Sequence, residues 1–354
     1  MKKQINLFLV GTGLVGKALL KSIKINPTVQ SENRSITIKV AGIANRSNML
    51  LGKRGIDPVK WKSELNNNGG QTNIKSFIEL MKRMKLPNSI FVDCTDGNDI
   101  VTLYNTILKT TPIVTPNKSA NAGSYKQYNV LKDIVRKNGT DFRYSANVGV
   151  GVPSLDVIKS ILSGGDKIVA IEGLFSSTMN YLLDKLMTTN KKFSDLLKEA
   201  EQKGLTEPDP RNDLNGIDTA RKILILVRDS GVKLELSDVK IENLVPVILR
   251  NIKSLDRFYE SLKIYDKKFD ELKKEALRKN CKLVYSANYR KNSASVKIEM
   301  VDTSHPFYFS SSKEKVVLFY TKFYKKHPLI IKGQSGGAKA AAAVLVSDIL
   351  KTIK

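Results

Sequence analysis

Four acids and one lysine, Glu207, Asp209, Asp213, Asp218 and Lys222, crowd the stretch from Gly204 to Lys222, GLTEPDPRNDLNGIDTARK. Carboxylates and an amine at such spacing can move a proton, hold an ammonium group or neutralise one another. Beyond Asn215, the residues Ile217, Ala220, Ile223, Leu224 and Val227 recur at helical spacing and predict a helix with a broad apolar stripe. Asp218 and Lys222 stand four apart on it and share a face. Ile225 and Leu226 leave this helix apolar nearly all round, which predicts a buried helix carrying a buried carboxylate and ammonium. A purely structural account is also open. Asn215 would be the N-cap, Asp218 would complete a capping box, and Lys222 would pair with Asp218.

The elements that position such groups begin at the amino end. Ile5 to Val10 is a mostly apolar run, as in a strand buried on both faces of a parallel sheet. Gly11-Thr12-Gly13-Leu14-Val15-Gly16 follows at once, then a helical pattern from Leu14 to about Ile25. This is GxGxxG in its strand, turn and helix context, the fingerprint of dinucleotide binding. Gly11 permits the tight turn, Gly13 admits a pyrophosphate to the backbone, and Gly16 lets helix and strand pack closely. A second strand, Ile36 to Ala44, ends in Asn45-Arg46-Ser47, where an NAD-specific fold would usually carry an acid. Arg46, with Lys53, Arg54 and Lys60 nearby, suits a 2′-phosphate, so NADP is favoured over NAD. Two further strands are expected, Ser89 to Thr95 and Thr111 to Lys118. Ligands of doubly wound sheets bind beyond the carboxyl ends of strands, which places Thr95 and Lys118 near the nicotinamide.

Composition narrows the function further. At 354 residues the chain is long enough for about two domains. Fifty-nine Lys+Arg against thirty-four Asp+Glu give a net charge of +25, which attracts polyanions. The lysines are spread along the chain and accompany no nucleic-acid-binding motif, so no specific nucleic-acid partner is expected. No apolar run approaches the roughly 20 residues of a membrane span, and INLFLV is too short for a signal segment. A cytoplasmic protein without a membrane partner is expected. Cys94 and Cys281 cannot make a disulfide framework or a metal site.

Further motifs follow in order: VTPNK ending at Lys118, SANVGVGVP from Ser145 to Pro153, STMNY from Ser177 to Tyr181, EPDPRNDLNGIDTARK, and Gly-Gln-Ser-Gly-Gly-Ala from Gly333. Through them, essentially the whole chain resembles the homoserine dehydrogenases. The likeness is to the short monofunctional form, with no aspartate-kinase segment before it and no regulatory tail after it. It implies NAD(P)-dependent interconversion of L-homoserine and L-aspartate 4-semialdehyde, in threonine and methionine biosynthesis. Lys118 and Lys222 match the family's active-site lysines, and Asp218 its catalytic aspartate. Glu207 and Asp213, with Lys118, would bind substrate, and Gly333 would border the cofactor. Backbone carbonyls of Val148, Val150 and Val152 would hold Na⁺ or K⁺. The sequence departs from the family at Ser145, commonly glutamate, at Leu205, often tyrosine, and at Ser335 and Lys339, where glycine and an acid occur.

The expected fold is α/β: a Rossmann-type doubly wound parallel sheet with a second α+β catalytic and dimerisation domain. The likeness divides it into a dinucleotide domain, 1–144 plus 333–354, a catalytic domain, 153–281, and a dimerisation region, 145–152 plus 282–332. A homodimer or higher homo-oligomer follows. Within the last part Ser295 to Val301 and Lys315 to Tyr320 read as strands, and Ala338 to Leu350 as a helix returning to the dinucleotide domain. The alternatives are another Rossmann dehydrogenase of small amino acids or aldehydes, and a basic nucleic-acid-binding protein.

Overall fold

Strand β1 (Lys2–Val10) is fully buried from Ile5 to Val10, as its apolar run requires, and hands the chain directly to helix α1 (Leu14–Ile25). In this computed structural model residues 2–31 and 34–353 are described. They pack as two compact units, Met1–Gly151 with Gly336–Lys354, and Val152–Ser335.

The first unit continues with β2 (Thr28–Ser31), β3 (Arg34–Ala44), β4 (Asn48–Leu51), α2 (Trp61–Asn68), β5 (Gly70–Gln71), α3 (Ile74–Met84) and β6 (Ser89–Asp93). Then come α4 (Tyr104–Ile107), β7 (Ile113–Val114), α5 (Ser119–Ala122), α6 (Tyr125–Asn138) and β8 (Phe142–Arg143). Its sheet runs β5-β4-β3-β1-β6-β7-β8, with β2 paired to β3. The parallel part is β3-β1-β6-β7-β8, so chain order reverses between β1 and β6. That reversal is the switch point at which such sheets open a ligand crevice. The carboxyl-terminal helix α14 (Gly337–Lys351) belongs to this unit, where Leu345 and Ile349 join Leu19, Leu20 and Ile23 of α1 in one core.

The strand expected from Thr111 to Lys118 is shorter than the apolar pattern suggests. Only Ile113 and Val114 are strand. Pro116 has no N–H to give a ladder, and the Thr115 hydroxyl accepts the Asn117 N–H at 2.9 Å, turning the chain out of the sheet.

The second unit contains α7 (Ser154–Ser163), β9 (Ile168–Leu174), α8 (Ser177–Thr188), α9 (Phe193–Gln202), α10 (Arg211–Leu214), α11 (Ile217–Asp229) and β10 (Val239–Ile241). After these come α12 (Leu255–Leu262), α13 (Asp266–Arg278), β11 (Lys282–Arg290), β12 (Ser293–Val301), β13 (Glu314–Thr321) and β14 (Leu329–Gln334). One sheet runs β10-β12-β11-β9-β13-β14. Residues 282–332 therefore share a sheet with β9 of the expected catalytic stretch, and Gly333 lies in β14 opposite Lys315.

Two local expectations about α11 fail. The N-cap is Gly216, at φ 74°, and Asn215 stands before it, its Oδ1 accepting the Ile217 N–H at 2.8 Å. No capping box forms among the described residues here. A Cβ at Gly216 would meet the Tyr285 hydroxyl at 2.3 Å, so packing and backbone both demand glycine. Nor is the helix buried throughout. Ile223 to Arg228 are buried against the sheet, whereas Ile217 is 40% exposed, and the Asp218 and Lys222 side chains are 50% and 17% exposed. Within the first turn Thr219 and Ala220 are buried, so only one side of that turn is open.

Candidate active site

The glycine turn after β1 is built by the fold at two positions and left clear at the third. Gly11 has φ 94°, and a Cβ there would lie 2.7 Å from the Cys94 carbonyl carbon. A Cβ at Gly16 would lie 2.0 Å from the Gly11 oxygen. At Gly13 a Cβ would meet no described atom within 4 Å. Packing of the chain on itself therefore explains Gly11 and Gly16 but not Gly13. Thr12 precedes the N-cap Gly13, and the first turn, which holds Leu14 and Val15, has among the described residues no side-chain cap and no acid. Its N–H groups and the positive end of the helix are presented to solvent beside Leu14, which is 83% exposed. This cradle fits a nucleotide pyrophosphate. At the end of β3, Asn45 Oδ1 accepts from the Ser47 and Asn48 N–H groups, both at 2.8 Å, forming a tight turn that leaves Arg46 exposed.

Beyond β6 and β7 the backbone is tied by a buried acid that the sequence reading did not single out. Asp93 Oδ1 accepts from the Thr95 N–H at 2.8 Å and the Thr95 hydroxyl at 2.6 Å. Its Oδ2 accepts from the Tyr104 hydroxyl at 2.6 Å and from Asn117 Nδ2 at 3.3 Å, while Asn117 also reaches the Gly97 carbonyl at 2.8 Å. Burial raises the Asp93 carboxyl above its usual range, against the donors that favour its anion. Burial, followed by the Asp93 charge, likewise holds the Tyr104 hydroxyl well above its usual value. The network fixes Thr95 and the loop ending at Lys118, which stands at the N-cap of α5. An acid closing an apolar strand was the only sequence signal for it.

Ser145, in the position of the expected glutamate, gives both its N–H and its hydroxyl to the buried Asp348 of α14, each at 2.8 Å. Val148 is buried and Gly149 and Gly151 have φ of 69° and 103°, so the chain turns repeatedly through this segment. Among the described residues no group of three His, Cys, Asp or Glu could hold a metal ion. No helix among them is long and apolar enough to cross a membrane. A pocket bordered by Met81, Lys82, Asn88, Ser89 and Thr111 opens at the amino ends of β6 and β7, the edge away from the glycine turn.

In the second unit the charged run sorts into distinct roles. Asp209 is held by Arg211, 2.6 Å from its Nη2, and that hydrogen bond keeps the carboxyl below its usual range. Asp213 Oδ2 accepts the Glu207 N–H and its Oδ1 the Thr178 hydroxyl, both at 2.8 Å. It braces the Glu207 loop on α8, and burial pushes its carboxyl up. The Glu207 side chain is exposed. Lys222 Nζ lies 2.6 Å from Asp218 Oδ2 and donates to the Phe175 carbonyl at 3.0 Å. The expected pair thus exists, and its ammonium is also fastened to the end of β9.

A second lysine, missed by the sequence reading, meets the same carbonyl. Lys315 Nζ donates to Phe175 O at 2.7 Å and to Ser177 Oγ at 2.8 Å, and the residue is 6% exposed. Burial, then the charge of Lys222, lowers its pKa to about 7. Standing at the start of the apolar run Val316–Tyr320, it reads in sequence as a solvated strand end. The cluster offers an amine and a carboxylate for proton transfer, and acids that can receive a cationic ligand.

Residues 11–145 match the family model described as homoserine dehydrogenase, NAD binding domain, and residues 153–350 the one described as homoserine dehydrogenase. The chain is similar to the homoserine dehydrogenase of Schizosaccharomyces pombe, with 33% identity over 99% of this chain and 96% of that protein. It is 38% identical to a chloroplastic bifunctional aspartokinase/homoserine dehydrogenase of Arabidopsis thaliana over 97% of this chain, and spans 38% of that relative's length. In fold it is similar to a hyperthermophilic archaeal homoserine dehydrogenase in complex with NADPH, with a TM-score of 0.74 and 22% identity, covering 99% of this chain and 97% of that one.

Proposed function

Because the chain belongs to the homoserine dehydrogenase family, we propose that it interconverts L-homoserine and L-aspartate 4-semialdehyde, with Lys222 carrying the proton. It has an NAD(P)-binding domain. The observation that carries the reading is the Lys222–Asp218 pair anchored on the Phe175 carbonyl, beside a loop that presents Glu207 and is braced by Asp213.

The nicotinamide, when bound, supplies or accepts the hydride. The protein's own side chains handle charge and protons. In homoserine oxidation the Lys222 amine takes the hydroxyl proton, and in aldehyde reduction its ammonium protonates the developing alkoxide. Asp218 and the Phe175 carbonyl fix that nitrogen and keep it from swinging into solvent. Glu207 and Asp213 receive the substrate ammonium, Asp213 doing so while it holds the loop. Lys118 attracts the substrate carboxylate or oxygen.

NADP is the favoured nucleotide. Asn45 spends its carboxamide oxygen on its own turn, no acid replaces it, and the exposed Arg46 suits a 2′-phosphate. For a monovalent cation the carbonyls of Val148, Val150 and Val152 remain the ligands, and weak binding is expected because Ser145 brings no carboxylate. A homodimer through residues 282–332 agrees with the exposure of Phe309, Phe323 and Ile330. The deciding experiment is NADPH oxidation by the purified protein with L-aspartate 4-semialdehyde and with other small aldehydes. No preference for the semialdehyde would return the assignment to another Rossmann dehydrogenase.

A further inference from the structure

Two lysine nitrogens meet on one carbonyl oxygen. Phe175 O accepts from Lys222 at 3.0 Å and from Lys315 at 2.7 Å. Among the described residues Asp218 is the one carboxylate in ion-pair contact with either nitrogen, 2.6 Å from Lys222. Among the described residues no carboxylate lies within ion-pair distance of Lys315. Its neighbours are the Ser177 hydroxyl on α8 and, across β14, Gly333, which has no side chain. Glu314, next to it on β13, is paired instead with Lys332 of β14 at 3.0 Å. The charges that act on Lys315 are thus Lys222 and Asp218 of α11, and Asp213 of α10 acts on Lys222 in turn.

We propose that Lys315 is a positioning residue for the proton chemistry of Lys222: across the shared Phe175 carbonyl it repels the Lys222 ammonium, so that one proton of the lysine pair is available to the reaction. The inference rests on the proposed function. Burial of Lys315 disfavours a second positive charge beside Lys222 on the shared carbonyl, so the two amines together favour the state with a single positive charge. That state holds one proton and one empty amine. In homoserine oxidation the substrate O–H bond breaks, its proton fills the empty amine of the pair, and the hydride passes to the oxidised nicotinamide. The pair then returns the extra proton to water. In reduction the same proton travels from the pair to the new hydroxyl oxygen. Without Lys315 the proton on Lys222 faces Asp218, Asp213 and the carbonyl, with no neighbouring ammonium to repel it.

The test compares the pH dependence of kcat/KM for homoserine in the wild type, Lys315→Met and Lys315→Gln. The acidic limb is expected to move about one pH unit or more towards alkaline in both variants. At pH 7 that is a loss of about tenfold or more, recovered at high pH. NADPH affinity should hold. A uniform loss at every pH, or an unmoved limb, overturns the proposal and leaves Lys315 as a packing residue. Should neither variant fold, the wild type still decides. NMR of protein labelled at the lysine Cε should show a lysine titrating near neutrality, and no such resonance overturns the proposal. This measurement needs no turnover, so it separates failure of the lysine pair from failure of the homoserine assignment, which a wild type inactive on homoserine would signal.

Discussion

Replacing Gly13 with alanine separates the demands of the fold from those of the cofactor. Gly13 sits at φ −71°, ψ −158°, extended backbone open to any residue, and the new Cβ would meet no described atom within 4 Å. Losing glycine at a helix N-cap costs about 0.5–1 kcal/mol, and the lower entropy of the unfolded chain returns about 0.4–1 kcal/mol. Stability should therefore stay within about 0.5 kcal/mol of the wild type. The added methyl group would stand where a pyrophosphate approaches the first-turn N–H groups. Disturbing one charge-assisted hydrogen bond there costs about 1.5–3 kcal/mol, or roughly a ten- to 150-fold rise in Kd. Thermal unfolding without nucleotide and a fluorescence titration with NADPH measure both quantities. Gly16→Ala is the contrast, since its Cβ would lie 2.0 Å from the Gly11 oxygen, so both melting temperature and affinity should fall. The reasoning is refuted if Gly13→Ala binds NADPH within about twofold of the wild type, or if it unfolds as early as Gly16→Ala.

Lys222→Ala should lower kcat by about 10²–10⁴ with NADPH affinity unchanged, and near-normal turnover would remove Lys222 from the chemistry; Glu207→Gln should instead raise the homoserine KM about tenfold or more in steady-state kinetics. Tyr104→Phe leaves Asp93 Oδ2 with only the 3.3 Å bond from Asn117. It should cost about 1.5–3 kcal/mol in urea unfolding. Because burial raises the folded Asp93 pKa, the anion is the form harmed, and the deficit should narrow as pH falls. Lys315 has the opposite sign. Its folded pKa of about 7 lies below the ~10.4 of an unfolded lysine. The folded chain binds fewer protons between those values, so stability should rise with pH across that window and fall as pH drops towards 7. Urea midpoints measured across the window should lose this slope in Lys315→Met, and equal slopes would contradict it.

The dinucleotide end was readable because its signals are local. An apolar run, three glycines at fixed spacing and a helical period occupy consecutive residues from Ile5 to Ile25, and β1, the turn and α1 follow them. The shared face of Asp218 and Lys222 was readable for the same reason, since helical spacing alone brings their charges to 2.6 Å. The order of the four acids along the run said less about their partners. Arg211 takes Asp209, and the backbone of Glu207 takes Asp213, through turn geometry that residue types only suggest.

Sequence by itself determined the βαβ start, the helical placement of the acid–lysine pair and, through the order of its motifs, the family. Tertiary structure alone decided how deeply that pair is buried, because burial depends on which strands cover the helix. Ile223 to Arg228 are buried without a break, whereas in the first turn Thr219 and Ala220 are buried and Ile217 and Asp218 are exposed. It also decided the Asp93–Tyr104–Asn117 network and the meeting of Lys222 with Lys315 on the Phe175 carbonyl. Lys315 is far from Lys222 along the chain, and only the pairing of β13 beside β9 brings it there. Hydrophobic pattern and local propensity set elements; charge–charge energies depend on distances in space that no local pattern encodes.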